Sequence, residues 1–569
     1  LQITPADNVV TLTGGAPQTV AFYAALIAAD GTSTDVTAST TFTVDDTSIA
    51  TFAGSTLTAT KSGSTTVHAT AAGIVNTAPF KVVDPQVIVA SGAPSGAPSS
   101  FGGATDGTRA PTIVYPADGV IVPPNMNVFE FHFLPGAGNT LFQLAFNGPG
   151  VDTKVYFPCT PVGSGCVYAP DATVWQLIAE GGRGRAAINY TLSAVDGSSP
   201  GGVGVSATQA IKFAEEDLTG GIYYWNAGAG AVMRYEFGVS GKAGELFLTA
   251  AKAKAGVCVG CHVLSRDGTK IAVGLDIPAP TGSEVLDVAT LSTVFAANAG
   301  TGITAGNFFS FSPDGAQLLT SGGIQTSIVD ATTGAAIKNP FLSNGTQADW
   351  SPLGTQVVYA AAQTPVPCFV TCGSTGVDKA SLVTIPYASG AWGAPSTLVA
   401  YAGQNNYYPT FSPDGAWVMF NRSPSDQDSY DAKDALVWVV AAGGGTPIQL
   451  ATASTGGDSW PKWTPAVQQY QGKPLLWSTF SSRRAYGLRL AAGTTAQLWM
   501  TAFDPTKASA GSDPSYPGFW LPFQDLSSGN HIAQWVSKVV RTACTSDSQC
   551  DPGLQCQTGV CKPPPVIIK

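Results

Sequence analysis

The sequence predicts an all-β chain: two β-sandwich domains, then a β-propeller of six blades, then a small cysteine-rich tail. Three observations lead there. Only 11% of the residues are charged while 65 are glycine and 40 proline, a balance that suits short strands and tight turns and leaves little Glu, Lys or Arg for long solvated helices. Apolar and polar positions alternate with period two through the first third of the chain. Beyond that, lines built on an aromatic, then Ser or Thr, then usually Pro recur at intervals of about 40 to 60 residues, the period of propeller blades. With 569 residues the chain exceeds one ordinary hydrophobic core, so several domains are expected.

The first domain is expected over residues 1–84, where short strands alternate with Gly, Asp and Asn turns. Its stretch "TSIATFAGSTLTATKSGSTTVHATAAG" sets a strand at Ile49 to Phe52, a hairpin at Gly54 and a turn at Gly63 before "TTVHAT". This stretch resembles the bacterial Ig-like domains of cell-surface proteins, which implies a spacer or adhesive module. Residues 85–110, with "SGAPSGAPSSFGGATDGTRAP", read as a Gly/Pro/Ser-rich linker too poor in apolar residues to build a core.

A second sandwich, Ig-like or fibronectin-like, is expected over 111–214. Its strand patterns are "PTIVYPADGVIVPP", "VFEFHFLP", "LFQLAFNG", "TKVYFPC" and "INYTLSAVDG". "GSSPG" at 197–201 matches the nucleophile-elbow pattern of hydrolases, but "GGVGVS" follows it instead of a helix, so the match is rejected.

Residues 218–540 carry the propeller. Blade starts align as "FFSFSPDG" (308–315), "QADWSPLG" (347–354), "YPTFSPDG" (408–415) and "WPKWTP" (460–465), with "HVLSRDG" (262–268) and "HIAQWVS" (531–537) in the same frame. The wording "FSPDG" resembles the TolB-like propellers, which implies a ring of such blades across this region. The last start lacks room for a full blade and "GGIYYWNAGAGAVMRYEFG" at 220–238 lacks a start, so the C-terminal strand is expected to close the ring beside the first strands, giving six blades, with five or seven the alternatives.

The ten cysteines fall into local groups. Cys159 with Cys166, Cys368 with Cys372, and the terminal Cys544, Cys550, Cys556 and Cys561 lie in Pro-, Gly- and Ser-rich stretches and read as disulfides, the terminal pairing left open. That implies an oxidising, extracytoplasmic setting: periplasmic, outer-surface or secreted. The chain opens with Leu1 directly in a strand pattern, as expected of a mature product after signal-peptide removal, and no apolar run approaches the length of a membrane span. A net charge of -10 without any Lys/Arg cluster excludes nucleic acid and anionic membrane surfaces as partners.

One motif carries chemistry. In "GVCVGCHVLSRDG", Cys258, Cys261 and His262 form C-x-x-C-H. From this composition the spacing arises by chance in about one such chain per thousand. The motif resembles the attachment site of c-type cytochromes, which implies one covalent haem c, with Cys258 and Cys261 as thioether anchors and His262 as proximal axial ligand. A thioredoxin-type pair wants a helix after the thiols, and a structural zinc wants a fourth ligand and a second paired motif; neither context is present. Gly256 and Gly260 suit close approach of a flat macrocycle. Phe308, Phe309, Tyr407 and Tyr408 are expected to pack between blades, with cover of the haem faces the alternative. Aligning Trp535 with Leu264 sets His531 level with Gly260 on the neighbouring closing strand, which makes His531 the candidate sixth ligand and Met233 the weaker one.

The remaining chemistry is thin. Asp426, Asp428, Asp431 and Asp434 offer carboxylates for Ca²⁺, but their spacing fits no established loop and a solvated acidic loop is favoured. The expected function is extracytoplasmic electron transfer by a mono-haem protein, with a protein redox partner or neighbouring subunits of a homo-oligomer or fibre. The alternative is a structural or adhesive subunit in which haem is secondary, and a haem peroxidase ranks below both. The terminal "VIIK" (566–569) is expected to pair with a strand edge, of this chain or of a neighbouring copy.

Overall fold

The computed structural model describes residues 1–569 apart from 6–7, 13–15, 29–31, 149, 200, 242, 254, 257, 277–281, 299–305, 323–324, 363–376, 425–428, 430–431, 551–552 and 565–569. Two compact units emerge: 1–119 with 130–213, and 120–129 with 214–569.

In the first unit the N-terminal strands form small sheets, the largest joining Asn8–Thr11, Ile74–Val83, Gly63–Ala71 and Thr41–Val44. Burial alternates along Gly63–Ala71, with Thr65, Val67, Ala69 and Ala71 turned inward. The inward faces meet Phe22, Phe42, Leu57 and Phe80. Gly54, at φ 62°, turns the hairpin between Ala50–Ala53 and Thr56–Ala59. A Cβ on Gly63 would lie 2.5 Å from Ile49 Cδ1, so the Ile49 side chain would have to shift to admit one.

The second sandwich sets Thr112–Tyr115, Phe131–Leu134, Gly165–Tyr168 and Thr160–Val162 in one sheet and Val151–Pro158, Leu141–Gly148, Ile188–Val195 and Gln209–Phe213 in another. Two features depart from the sequence reading. An α-helix, Ala172–Gly182, interrupts the strands; Asp171 caps it by accepting from Val174 N, and Val174, Trp175, Ile178 and Ala179 form its buried stripe. The expected linker, 85–110, is bound to this sandwich. Gln86–Val89 pairs in parallel with Val151–Pro158, and Ala97 and Phe101 pack with Leu141, Tyr156 and Val195. A stretch poor in apolar residues can still satisfy its backbone on a sheet edge and bury one small side chain.

The second unit is a propeller. Its described strands form six sheets, each of four or five strands. The inner strands are Val259–Leu264, Phe308–Phe311, Gly345–Trp350, Asn405–Phe411, Asp458–Trp463 and Asn530–Val536, and each neighbours the next around a closed ring. Asn530–Val536 pairs antiparallel with Gly221–Asn226, so the C-terminal strand completes the blade that the first three strands begin. This closure leaves no open sheet edge between first and last blade. Between the first and second strands of blades 2, 3 and 5 sits the S-x-D-G turn. In blade 3 Ser312 Oγ donates to Asp314 and accepts from Gln317 N, while Gly315 takes φ 69°. Residues 120–129 carry the strand Val120–Val122; beyond it Asn125 exchanges two hydrogen bonds with the Leu218 backbone and Phe129 packs on Phe519.

Disulfides join Cys159 to Cys166, Cys544 to Cys556 and Cys550 to Cys561. They mark an oxidising setting. The expected Cys368–Cys372 bridge and the "VIIK" segment lie outside the described residues. No helix among the described residues is long and apolar enough to cross a membrane.

Candidate functional site

Five of the six inner strands share one irregularity. Their ladders skip between Gly260 and Val263, Thr346 and Asp349, Tyr407 and Thr410, Ser459 and Lys462, and His531 and Gln534. Two residues there oppose one on the partner strand, which is a β-bulge. The first bulge residue sits in the left-handed region each time: Cys261 at φ 45°, Gln347 at 56°, Tyr408 at 52°, Trp460 at 55° and Ile532 at 56°. Such a conformation costs a non-glycine residue about 1 to 2 kcal/mol, so its recurrence marks a geometric demand of the inner strand and not an accident at the cysteine.

The bulges fix which residues stand level with one another. Cys261 is the blade 2 counterpart of Gln347, Tyr408, Trp460 and Ile532; the blade 3 strand has no bulge, and its Phe308 pairs with Ser321. Phe308, Tyr408 and Trp460, from three different blades, meet at the ring centre: the Tyr408 and Trp460 rings stack at 4.0 Å and the Phe308 and Trp460 rings at 5.6 Å. With Ile532 and Tyr407 they form one apolar core, which is the blade packing expected of Phe308, Tyr407 and Tyr408. Two residues further along each strand, Val263, Ser310, Asp349, Thr410, Lys462 and Gln534 line a cavity of about 300 Å³. The channel therefore has an apolar plug and, beyond it, a polar chamber.

The C-x-x-C-H motif lies at the plug level. Cys258 and Cys261 are buried thiols, not joined to each other, in a chain whose other described cysteines are all in disulfides. The Asp276 carboxylate accepts from the backbone N–H groups of Gly256 and Cys258, and Asp276 N donates back to Cys258 O, so one acidic residue holds the loop that carries the first thiol. Burial, with Cys258 beside it, pushes the Cys261 thiol up to about 12. His262 is 2% exposed. Burial takes its imidazole down to about 4; the Tyr223 carbonyl opposes that and Lys462 adds to it. Its Nε2 lies 3.1 Å from Tyr223 O in the adjoining blade, and its Nδ1 is buried without a hydrogen-bond partner among the described residues.

His531 stands level with Gly260, on the closing strand beside the motif strand, as the blade alignment predicts. Between the two strands lies the indole of Trp225: a Cβ on Gly260 would be 3.3 Å from Trp225 Nε1, and the Trp225 ring sits 5.9 Å from that of His531. Gly260 thus meets a flat ring, and that ring belongs to Trp225. Met233 is half-buried on Ala231–Glu236, paired with Tyr224 and Leu246, so the strand Gly221–Asn226 stands between it and the closing strand. Of the four aspartates, Asp434 accepts from Ser423 Oγ; Asp426, Asp428 and Asp431 lie outside the described residues. Among the described residues one group of three ligand-type side chains converges, Cys544, Cys550 and Cys561, and disulfides consume all three.

In donor chemistry the motif fits a c-type haem: two thiols and an adjacent neutral imidazole. Its geometry sets a condition, because ligation through His262 Nε2 requires that nitrogen to leave the Tyr223 carbonyl. Sequence reasoning missed Tyr223, Trp225 and Asp276, which no motif flags. It also passed over Lys462 and Asp349, although a charge inside an otherwise apolar blade start was a readable signal.

The fold and the bulged inner strands define the class: a closed six-bladed β-propeller preceded by β-sandwiches. No protein-family model matches the chain, and no curated protein does. Among solved structures it is similar to a nidogen/laminin complex at 10% identity and a TM-score of 0.34, covering 56% of this chain and 99% of that one. It is similar also to prolyl endopeptidases at 13% identity and a TM-score of 0.28, covering 58% and 47%. The β-propeller domain of the Trilobed protease from Pyrococcus furiosus matches at 12% identity and a TM-score of 0.25, covering 55% and 77%. Likeness at these scores carries no argument, and the propeller assignment rests on the strand pairing.

Proposed function

We propose that this chain is an extracytoplasmic electron-transfer protein carrying one haem c on Cys258 and Cys261, with His262 as proximal ligand and the TolB-like propeller as a rigid holder. The observation that supports this most is the pair of unjoined thiols beside a buried imidazole, in a chain whose other described cysteines are all in disulfides. When bound, haem c supplies a one-electron site. The chain's own residues do the rest. Asp276 positions the Cys258 loop through two backbone N–H groups. Burial keeps His262 neutral at pH 7, as a ligating nitrogen must be. His531 is the sixth-ligand candidate on the neighbouring strand, and Met233 the weaker one. The sandwiches serve as spacers at the cell surface or in an extracellular assembly, and the partner is a redox protein or a neighbouring copy of this chain.

The second reading, a structural or adhesive subunit, is favoured by one observation. His262 Nε2 lies on Tyr223 O, and the Trp225 indole stands over Gly260.

Intact mass and a pyridine haemochrome spectrum decide between them, measured on the full chain exported from a haem-attaching host. The proposal expects a mass increment of one haem and a two-thioether spectrum, both abolished by Cys258→Ser with Cys261→Ser. A haem-free chain with both cysteines open to alkylation after denaturation refutes it. His531→Ala then tests the sixth ligand, since an unchanged ferric spectrum assigns that role elsewhere.

A further inference from the structure

The polar chamber of the propeller channel holds three formally charged side chains, Arg266, Lys462 and Asp349. Asp349 is already satisfied by neutral donors: Oδ1 accepts from Ser310 Oγ at 2.9 Å and Oδ2 from Phe411 N at 2.9 Å. Arg266 donates one N–H to Trp350 O at 3.0 Å. Lys462 Nζ makes no hydrogen bond or ion pair among the described residues. Burial lowers the pKa of Lys462, Asp349 opposes this in part and Arg266 adds to it, as expected of a buried ammonium that shares one carboxylate neighbour with a guanidinium. The chamber thus carries one uncompensated positive charge. Phe311, Phe411, Trp463 and Trp535 supply apolar wall around it, and the Trp463 and Trp535 indole N–H groups are already committed to Thr410 O and Thr479 Oγ1.

We propose that this chamber is a binding site for a small organic carboxylate, with Lys462 and Arg266 holding the carboxylate and the aromatic wall covering an apolar body. One net positive charge selects a monoanion over a dianion. The cavity of about 300 Å³ admits roughly ten non-hydrogen atoms, taking about 30 Å³ for each. Apolar walls with a few convergent polar groups are the usual make-up of a ligand pocket. The site lies one level below the C-x-x-C-H motif and does not depend on haem.

Calorimetric titration of the full chain with benzoate, benzamide and inorganic phosphate tests this. Benzoate is expected to bind saturably and benzamide at least ten-fold more weakly. Lys462→Met is expected to weaken benzoate at least ten-fold without changing benzamide, and Lys462→Arg to restore it. Equal binding of benzoate and benzamide, no saturable benzoate binding, or tighter binding of phosphate than of benzoate overturns the assignment. Should Lys462→Met fail to fold, reductive methylation of the wild-type chain gives the same decision by mass spectrometry. Benzoate is expected to slow methylation of Lys462 at least three-fold, and benzamide to leave it unchanged; equal labelling in both refutes the site.

Discussion

Replacing Arg541 with methionine should loosen the seam where the propeller closes. Arg541 follows the closing strand Asn530–Val536 and is almost fully buried. Its guanidinium donates to Glu236 at 2.6 Å, to Glu245 at 2.9 Å and to the Cys561 carbonyl at 3.2 Å. One side chain thus ties the closing strand and the disulfide tail to the third and outer strands of blade 1. Breaking a buried ion pair by removing one partner costs about 3 to 5 kcal/mol, because the other charge is stranded. Two features of the site lower that figure. Glu245 retains Arg234 at 2.7 Å, and the Glu236 side chain is 17% exposed, so water screens part of what is left. Methionine keeps the stem volume and adds no cavity term. The expected loss is therefore about 2 to 3 kcal/mol. Chemical denaturation followed by near-ultraviolet circular dichroism measures it, and limited proteolysis should show faster cleavage beyond residue 536. A midpoint shift worth less than about 0.5 kcal/mol would mean that the ring closes by strand pairing alone and that the reasoning is wrong.

Two further outcomes are expected. Burial takes the Lys81 ammonium from 10.5 down to about 8, with Arg185 adding to the effect, while its Nζ donates to Glu180 O at 2.8 Å. Between those values the unfolded chain binds more protons than the folded one, so stability of the first unit is lowest below about pH 8 and rises toward pH 10.5. Lys81→Met should flatten that slope and raise stability at pH 7 by about 2 kcal/mol, after discounting for residual solvation; scanning calorimetry at pH 7 and 10 checks it, and an unchanged slope in the variant refutes it. Asp276→Asn weakens the carboxylate that gathers Gly256 N and Cys258 N, so in haem-free chain Cys258 should alkylate several-fold faster than in wild type, with the Cys261 rate unchanged; equal rates at Cys258 would show that the loop holds without the charge.

What the sequence determined by itself is whatever repeats or acts locally. The S-x-D-G turns are readable because each satisfies its own backbone within five residues, as Ser312 does with Gln317. The blade frame follows from them, and it carries His531 to the level of Gly260 and the last strand to the first blade, because a ring of like blades must place like positions level. The cysteine pairs close over short separations and mark the oxidising setting. Local reading fails where a residue's partner is distant or its context is unusual. The helix Ala172–Gly182 went unread although Asp171 caps it, because a strand-rich neighbourhood masked an eleven-residue helical stripe. The edge strand Gln86–Val89 hid in a Gly/Pro/Ser-rich stretch because its partner lies more than sixty residues away. The motif itself divides the same way. Its thiols and imidazole are plain in the sequence, yet Tyr223 O reaches His262 Nε2 across 39 residues and Trp225 covers Gly260 from another blade. Only the closed ring brings those groups together, and only the ring turns Lys462, Arg266 and Asp349 from three separate blade starts into one charged chamber.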